Sequence, residues 1–236
     1  MARPSPARRP PTGPPVPRVP NLLMRVWDMP TRLFHWALVL LVVLAYVSAQ
    51  RDWVQVHFQA GYAVLALLLF RLAWGFAGSE TARFATILRS PAQALHHLAR
   101  FTKREPDTEI GHNPAGGWMA LVLLLALALE VGTGLFSNDD VAAEGPLAHH
   151  VSKAASDGAT HWHHLVFTAL WVLAALHVLA VLAYAAVKRH DLVRPMVTGK
   201  KRLPATLRQP RFANPLLALA LLAGAAGLVW ALVRFA

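Results

Sequence analysis

Five runs of mostly apolar residues constrain this chain more than any other feature of its sequence. They cover residues 33–48, 56–76, 116–136, 162–187 and 215–235 of the 236 residues. A helix needs roughly 20 such residues to cross the ~30 Å hydrocarbon layer of a bilayer. Hydrophobic residues make up 56% of the chain and are bunched into these runs rather than spread at core spacing. The runs therefore predict an all-α integral membrane protein with five transmembrane helices.

The positions of lysine and arginine predict how these helices are oriented. Nineteen of these residues lie before residue 33, between residues 77 and 114, or between residues 188 and 212. Only Arg51, Lys153 and Arg234 lie on the opposite side. Because basic loops stay on the cytoplasmic side, we expect a multi-pass protein of the bacterial inner membrane, with a cytoplasmic N-terminus and a periplasmic C-terminus. Membrane orientation then explains the net charge of +11 better than binding to nucleic acid does. The expected partner is membrane lipid, and no nucleic acid.

The chain contains no cysteine but has 12 histidines. The absence of cysteine excludes disulfides, Cys-ligated iron–sulfur clusters, Cys-ligated zinc and covalent attachment of haem through a C-x-x-C-H motif. Histidine is therefore the abundant metal-ligand type that remains.

Two histidines share one face of the fourth apolar run. His163 and His177 are fourteen residues apart, so they lie within about 40° of each other around a helix and ~21 Å apart along it. By the same count, His161 and His164 lie on other faces of this helix. An ionisable side chain inside an apolar run indicates a functional site.

Two further histidines lie at matching depths in other runs. His35 is near the cytoplasmic end of the first run, and His57 begins the second run on the outer side. The orientation thus pairs His35 with His177 and His57 with His163. Two bis-histidine sites suit two b haems, which need axial nitrogens and an apolar pocket, whereas zinc would need about four ligands. Taken singly, His35, His57 and His163 are more often interfacial polar residues than ligands, and that alternative stays open. His177 differs, because an imidazole inside a membrane helix still needs hydrogen-bond partners.

Weaker expectations concern residues near these histidines. Arg71, inside the second run, either binds a haem propionate or extends to the membrane interface. His112, in the segment GHNPAGG before the third run, is expected to be a loop or capping residue, and contact with a quinone or a haem is the alternative. Three glycines either leave space for a flat ring or allow close helix packing: Gly61, Gly132 and Gly134.

Several segments together resemble the bacterial cytochrome b561 family, which includes the b-type cytochrome subunits of membrane-bound nickel–iron hydrogenases. The segments are VWDMPTRLFHW, VHFQAGYAVLALLLFRLAWGF, GHNPAGGWM and WHHLVFTALWVLAALH, followed by VRPMVTGK. The resemblance implies a four-helix bundle that holds two b haems and exchanges electrons with a quinone. The family's haem ligands fall on His35, His57, His163 and His177.

The resemblance covers about three quarters of the chain and implies three parts. We expect a disordered Pro/Arg-rich cytoplasmic tail over residues 1–24, because residues 1–20 contain eight prolines and four arginines. Residues 25–201 would form the di-haem four-helix membrane domain. Residues 202–236 would form a linker and an additional C-terminal transmembrane helix.

The expected function is that of a di-haem b-type membrane cytochrome that transfers electrons between the quinone pool and a redox partner. A periplasmic cytochrome c could dock on the acidic loop 137–160 through charge steering. The first alternative is a cytochrome b that anchors a hydrogenase or another dehydrogenase in the membrane. An alternative of another class is a transporter that uses the histidines as a metal-ion or proton relay, although internal repeats and broken helices are not apparent. Quinone oxidoreductase activity and homodimer formation stay open.

Overall fold

The computed structural model describes residues 20–141 and 143–236, which form helices and one short sheet. Within that part, the α-helices are α1 Met29–Gln50, α2 Val54–Ala77, α3 Phe84–Ile87, α4 Pro91–Ala99, α5 Pro114–Gly134, α6 Lys153–Ala183, α7 Val193–Thr198 and α8 Pro215–Phe235. A π-helical turn, Tyr184–Lys188, continues α6, and 3₁₀ turns lie at Glu80–Ala82 and Ala148–His150.

Five of the described helices are long and apolar enough to cross a membrane. They are α1, α2, α5, α6 with its π-helical turn, and α8. Many of their large apolar side chains are exposed on the outside of the bundle, where a lipid environment can cover them. The prediction of an all-α integral membrane fold with five transmembrane helices is therefore confirmed, and the protein is a multi-pass membrane protein.

Polar caps determine where α1 and α5 begin. The Asp28 side chain accepts a hydrogen bond from the Thr31 N–H at 2.7 Å, and the Asn113 side chain accepts one from the Gly116 N–H at 2.7 Å. Each cap is followed by a proline in the first turn of the helix. Such residues satisfy N–H groups that have no partner inside the helix.

Helix α6 begins nine residues before the apolar run that predicted it, at Lys153 rather than at residue 162. The Ser152 side chain caps it by accepting a hydrogen bond from the Ala155 N–H. The hydropathy pattern indicates only where a helix is in contact with lipid, so a polar extension into water escapes it.

A two-stranded antiparallel sheet joins the beginning of the described chain to the segment before α8. Strand β1 (Asn21–Arg25) pairs with β2 (Lys200–Pro204). The predicted disordered tail is therefore wrong for residues 21–24, whereas residues 1–19 lie outside the described residues. This sheet was not predicted from the sequence, because each strand is short and its partner is far away along the chain.

One end of the bundle, which we call the capped end, carries most of the short elements. Helices α3, α4 and α7 and the β1–β2 sheet lie there, at the end where α1, α5 and α8 begin and where α2 and α6 end. The opposite end carries the short α1–α2 connection and the longer α5–α6 connection.

Helix α2 lies at the centre of the packing. It packs against α1, α5 and α8, while α5 packs against α6. Phe70 and Trp74 of α2 form a buried cluster with Phe34 of α1 and with Ala218 and Ala225 of α8. The fifth transmembrane helix is thus attached to the other four by small side chains that fit against large aromatic ones.

Aromatic side chains bridge α1 and α6 between their two ends. The Tyr46 ring of α1 stacks on Phe167 of α6 with 5.6 Å between centroids, and it meets Trp171 edge-on at 5.3 Å. Both α6 residues lie between His163 and His177 in sequence. Long side chains therefore hold these helices at a separation that leaves room on either side of the bridge.

Candidate functional site

The four candidate histidines lie at two levels of the bundle. His35 is six residues after the start of α1 and His177 is six residues before the end of α6, which places both ~9 Å from the capped end of their helices. His57 is three residues into α2, near the opposite end, and faces His163. We call these groups the His35 level and the His57 level.

The two rings at the His57 level stand face to edge. Their centroids are 6.2 Å apart and their planes make an angle of 89°. Metal–imidazole bonds are about 2.0–2.1 Å long, so two nitrogens on opposite sides of one metal ion are ~4 Å apart and the ring centroids behind them roughly 6 Å apart. The observed separation therefore suits two axial ligands of one iron atom.

Backbone carbonyls of neighbouring helices hold both of these rings. His57 Nδ1 lies 2.9 Å from the Ala45 carbonyl oxygen of α1, and His163 Nδ1 lies 2.9 Å from the Glu130 carbonyl oxygen of α5. Because a carbonyl only accepts, each Nδ1 carries the proton and donates it. Each Nε2 then keeps the lone pair that a metal needs, as in most metal sites built with histidine.

Side chains of α5 complete the surroundings of His163. The Thr133 hydroxyl oxygen lies 3.4 Å and the Glu130 Oε1 atom 3.3 Å from His163 Nδ1. A Cβ atom at Gly134 would lie only 3.0 Å from His163 Cε1, so glycine lets the ring approach α5. By contrast, a Cβ atom at Gly61 or Gly132 would meet nothing within 4 Å. Close helix packing therefore does not explain these two glycines.

The His35 level is organised differently. His35 and His177 are close enough for their charges to interact, but within the described residues their rings make no direct contact. His35 Nδ1 is buried without a hydrogen-bond partner. The edge of its ring meets the Trp36 ring, with 4.9 Å between centroids. His35 and His177 thus lie at one level of the bundle. Unlike the rings of His57 and His163, theirs make no direct contact with each other and have no carbonyl partners among the described residues.

Arg71 is buried at the same level as this pair. It lies six residues before the end of α2 and is only 5% exposed. Its guanidinium lies over the Phe84 ring at 4.9 Å, and its Nη1 has no hydrogen-bond partner. Asp28 is near enough to interact electrostatically, but in the described part of the chain Arg71 forms no ion pair. A buried guanidinium in this state calls for an anionic partner.

His112 also lies at the His35 level, close enough to Arg71, His177 and His35 to interact with their charges. Gly111 before it has a φ of 103°, in the left-handed region that favours glycine, and Asn113 after it caps α5. Together they direct the His112 ring against Trp27, with 4.9 Å between centroids. Burial, followed by the charges of Arg71, His177 and His35, lowers the pKa of His112 to about 4. The predicted role as a loop residue is thus incomplete.

Two further histidines, His97 and His190, have hydrogen-bond partners at the capped end. His97 Nε2 lies 2.8 Å from the Tyr184 hydroxyl, and His190 Nε2 lies 3.0 Å from the Glu105 carbonyl oxygen. Burial and the charge of Lys188 lower the pKa of His97. These contacts hold the loops over the bundle.

The acidic surface of the α5–α6 connection is smaller than its composition suggests. Lys153 forms ion pairs with Asp140, at 2.6 Å, and with Asp157.

In residues 20–141 and 143–236, no group of three or more His, Cys, Asp or Glu side chains could hold a metal ion.

Several known proteins are similar to this chain. A family model described as "Prokaryotic cytochrome b561" matches residues 26–199. A "Probable Ni/Fe-hydrogenase B-type cytochrome subunit" of Azotobacter vinelandii is 27% identical, over 74% of this chain and 86% of its own length. The protein of that description from Azotobacter chroococcum mcd 1 is 26% identical over the same shares. A "Probable Ni/Fe-hydrogenase 1 B-type cytochrome subunit" of Escherichia coli (strain K12) is 25% identical, over 74% of this chain and 88% of its own length. No solved structure matches the chain significantly.

Proposed function

The chain belongs to the prokaryotic cytochrome b561 family, and from that premise we propose that it transfers electrons between the quinone pool and a redox partner with the help of two b haems. Family membership implies a membrane cytochrome that contains haem b. The number of haems, their ligands and the two electron partners are the proposal. His57 and His163 would hold one haem, and His35 and His177 the other.

The observation that carries this proposal is the geometry of the His57 level. Two perpendicular imidazoles have their centroids 6.2 Å apart, and each Nδ1–H is fixed by a carbonyl of a different helix. A histidine that served only as an interfacial polar residue would not need a second imidazole at the distance of a shared metal ion. The fourteen-residue spacing on α6 then supports a second site ~21 Å away along the helix.

The chain's own residues would orient and insulate the cofactors. Bound haem b supplies the one-electron redox chemistry. The helices supply the axial nitrogens, and their carbonyls fix the tautomer of the rings at the His57 level. The aromatic bridge of Tyr46, Phe167 and Trp171 fills the space between the levels and would exclude water there. Arg71 would bind a propionate group at the His35 level.

Charge distribution supports an orientation for this arrangement. The capped end carries the basic loops, so it would face the cytoplasm of a bacterial inner membrane. The His57 level would then lie near the periplasmic side. Residues 25–201 would form the haem domain, and the 202–236 segment would add a linker and α8, which packs on α2.

A hydrogenase is the redox partner that the comparisons favour. The relatives described above carry the words "Ni/Fe-hydrogenase B-type cytochrome subunit" and align over 74% of this chain. A periplasmic cytochrome c is less well supported, because Lys153 pairs with two carboxylates of the loop proposed as its docking surface. Membership of a cytochrome family also argues against the histidine-relay transporter.

Haem content per chain tests the core of the proposal. The full-length protein would be purified after expression with adequate haem supply and assayed as the pyridine haemochrome. We expect two b haems per chain and their reduction by a quinol added to the protein in lipid vesicles. One haem per chain would contradict the two-level assignment, and a folded chain without haem would overturn the function.

The choice of partner needs a separate measurement. The chain would be isolated under mild conditions from cells that express their own hydrogenase. We expect a nickel–iron enzyme to co-purify and hydrogen to reduce the haems of the complex. Reduction by hydrogen in the absence of such an enzyme would point to contamination, and efficient electron exchange with cytochrome c alone would favour the other partner.

A further inference from the structure

Buried polar atoms without a partner are concentrated at one end of this molecule. In the described part of the chain, five such atoms lie at the capped end: Thr31 Oγ1, His35 Nδ1, Arg71 Nη1, Thr81 Oγ1 and His112 Nδ1. At the opposite end Glu130 Oε2 is the corresponding atom. Buried polar groups are almost always hydrogen-bonded, so a cluster of exceptions needs an explanation.

Two members of the cluster lie near each other and near the His35 level. Arg71 interacts electrostatically with His112, and so do His177 and His35. These residues come from α2, the α4–α5 connection, α6 and α1. Four separate segments of the chain therefore bring nitrogen-bearing side chains into one region.

The carboxylate that interacts electrostatically with Arg71 already accepts one hydrogen bond on each oxygen. Asp28 Oδ1 accepts the Thr31 N–H at 2.7 Å, and Asp28 Oδ2 accepts the Trp74 indole N–H at 3.2 Å. Arg71 is 5% exposed and carries a positive charge without an ion pair among the described residues. The region therefore has donors and positive charge but lacks an acceptor.

We propose that His112 acts with Arg71 to bind a carboxylate side chain of the haem at the His35 level, with His112 as a positioning residue. This inference rests on the proposed function. A carboxylate accepts several hydrogen bonds, and hydrogen bonds to a charged group are stronger than neutral ones. Arg71 would supply the positive charge that attracts the carboxylate, and the His112 Nδ1–H would donate a hydrogen bond that orients it.

The backbone around His112 is prepared for this role. Gly111, at a φ of 103°, turns the chain inward, and Asn113 with the following proline starts α5 immediately afterwards. The Trp27 ring meets the His112 ring edge-on. The imidazole is therefore held in place before any ligand arrives, which reduces the entropic cost of binding.

A comparison of haem with its dimethyl ester tests the inference. The ester has the same iron and porphyrin but no free carboxylates. The full-length chain with His57→Ala, prepared without haem, would leave the His35 level as the site to be filled. Its affinity for haem and for the ester would be measured alone and with His112→Ala, His112→Gln or His96→Ala added. His96 is exposed on α4 and serves as the matched control.

We expect His112→Ala to weaken haem binding by about tenfold and to leave ester binding nearly unchanged. His112→Gln, which keeps an N–H donor, should restore part of the loss, and His96→Ala should change neither affinity. Equal losses for haem and ester would overturn the inference and indicate that His112 only packs or binds water. A parent chain that binds no haem at either level would instead refute the proposed function.

A spectroscopic measurement decides the matter if the ester does not bind at all. The resonance Raman band of the propionate bending mode reports hydrogen bonding to that carboxylate. We expect this band to shift in His112→Ala and to stay in place in His96→Ala. An unchanged band in His112→Ala would contradict a hydrogen bond from His112.

Discussion

The two histidine levels differ in how the chain itself satisfies them. At the His57 level, both Nδ1 atoms donate to carbonyl oxygens at 2.9 Å, and the ring centroids are 6.2 Å apart. At the His35 level, His35 Nδ1 and Arg71 Nη1 are buried without partners. The protein thus supplies hydrogen-bond partners for both imidazoles of the first level, whereas the second level has buried nitrogen atoms without one.

This difference indicates two ways to build a cofactor site. The Ala45 and Glu130 carbonyls lie near the ends of α1 and α5 and also accept hydrogen bonds from the Ser48 and Thr133 hydroxyls, at 3.0 and 2.9 Å. At the capped end, cap side chains accept the N–H groups of Thr31 and Gly116, and the buried atoms without partners belong to side chains. Backbone carbonyls therefore hold the imidazoles at one level, whereas the other level depends on side chains.

The largest effect should come from removing one axial ligand. We expect His57→Ala and His163→Ala to lose the haem of the His57 level, and His35→Ala and His177→Ala to lose the other. Each variant should retain about one of the two proposed haems, because the levels are ~21 Å apart. Pyridine haemochrome assays with separate redox titrations check this. His164→Ala is the control, and loss of both haems in each variant would contradict two independent sites.

A smaller effect is expected at Arg71, which would sharpen the contrast between the levels. Arg71→Ala should weaken haem binding at the His35 level by at least about tenfold, because hydrogen bonds to charged groups contribute roughly 1.5–3 kcal/mol. Haem titration of chains that carry His57→Ala measures this affinity. Arg71→Lys keeps the positive charge and should lose less of the haem affinity. Arg51→Ala, at the opposite end, should leave the haem affinity unchanged. An Arg71→Ala chain with unchanged affinity would remove Arg71 from the site.

A smaller change still should affect the His57 level alone. Gly134→Ala would place a methyl group 3.0 Å from His163 Cε1, so the ring must shift slightly. We expect a cost of about 1 kcal/mol, which is close to a fivefold loss of affinity at this level. Haem titration of chains that carry His35→Ala checks the value. Gly224→Ala, on α8 with nothing within 4 Å, should have no effect, and an equal effect of both substitutions would deny a contact with His163.

The smallest effect is expected from Glu80, which lies at the capped end and takes no part in the histidine sites. The Arg211 backbone N–H, which donates to Glu80, and the Arg208 side chain lower the pKa of Glu80. Because the pKa is lower in the folded state, this stabilisation is present above the ordinary glutamate pKa and is lost as pH falls through the folded value. Glu80→Gln should thus lower the unfolding temperature near pH 7 by the equivalent of at most about 1 kcal/mol, and not at acidic pH.

Thermal unfolding of the detergent-solubilised chain at several pH values measures this difference. Glu144→Gln, in the α5–α6 connection, is the matched control at the opposite end. If the destabilisation by Glu80→Gln were independent of pH, its cause would be packing rather than the ion pair.

The site could be predicted only in part from the sequence. How well each residue was placed depends on whether it lies on the same helix as its neighbour, on a facing helix or in a loop. His163 and His177 share one helix, so helical periodicity alone relates them. His57 faces His163 across two helices, and only the alternation of membrane crossings suggested that pairing. His112 lies in a loop, where no period exists, and its direction depends on the φ angle of Gly111 and on Trp27.

The sequence by itself determined the five transmembrane helices and the two levels, because hydropathy, charge bias and helix periodicity are local along the chain. The family followed from the resemblance of several segments to known proteins. Tertiary structure alone decided which atoms hold the imidazoles, how β1 finds β2, and why Arg71 and His112 lack acceptors. Those features depend on contacts between segments far apart in sequence, such as Ala45 with His57 across the α1–α2 hairpin and Glu130 with His163 across the α5–α6 connection. Their geometry is fixed only when the helices pack.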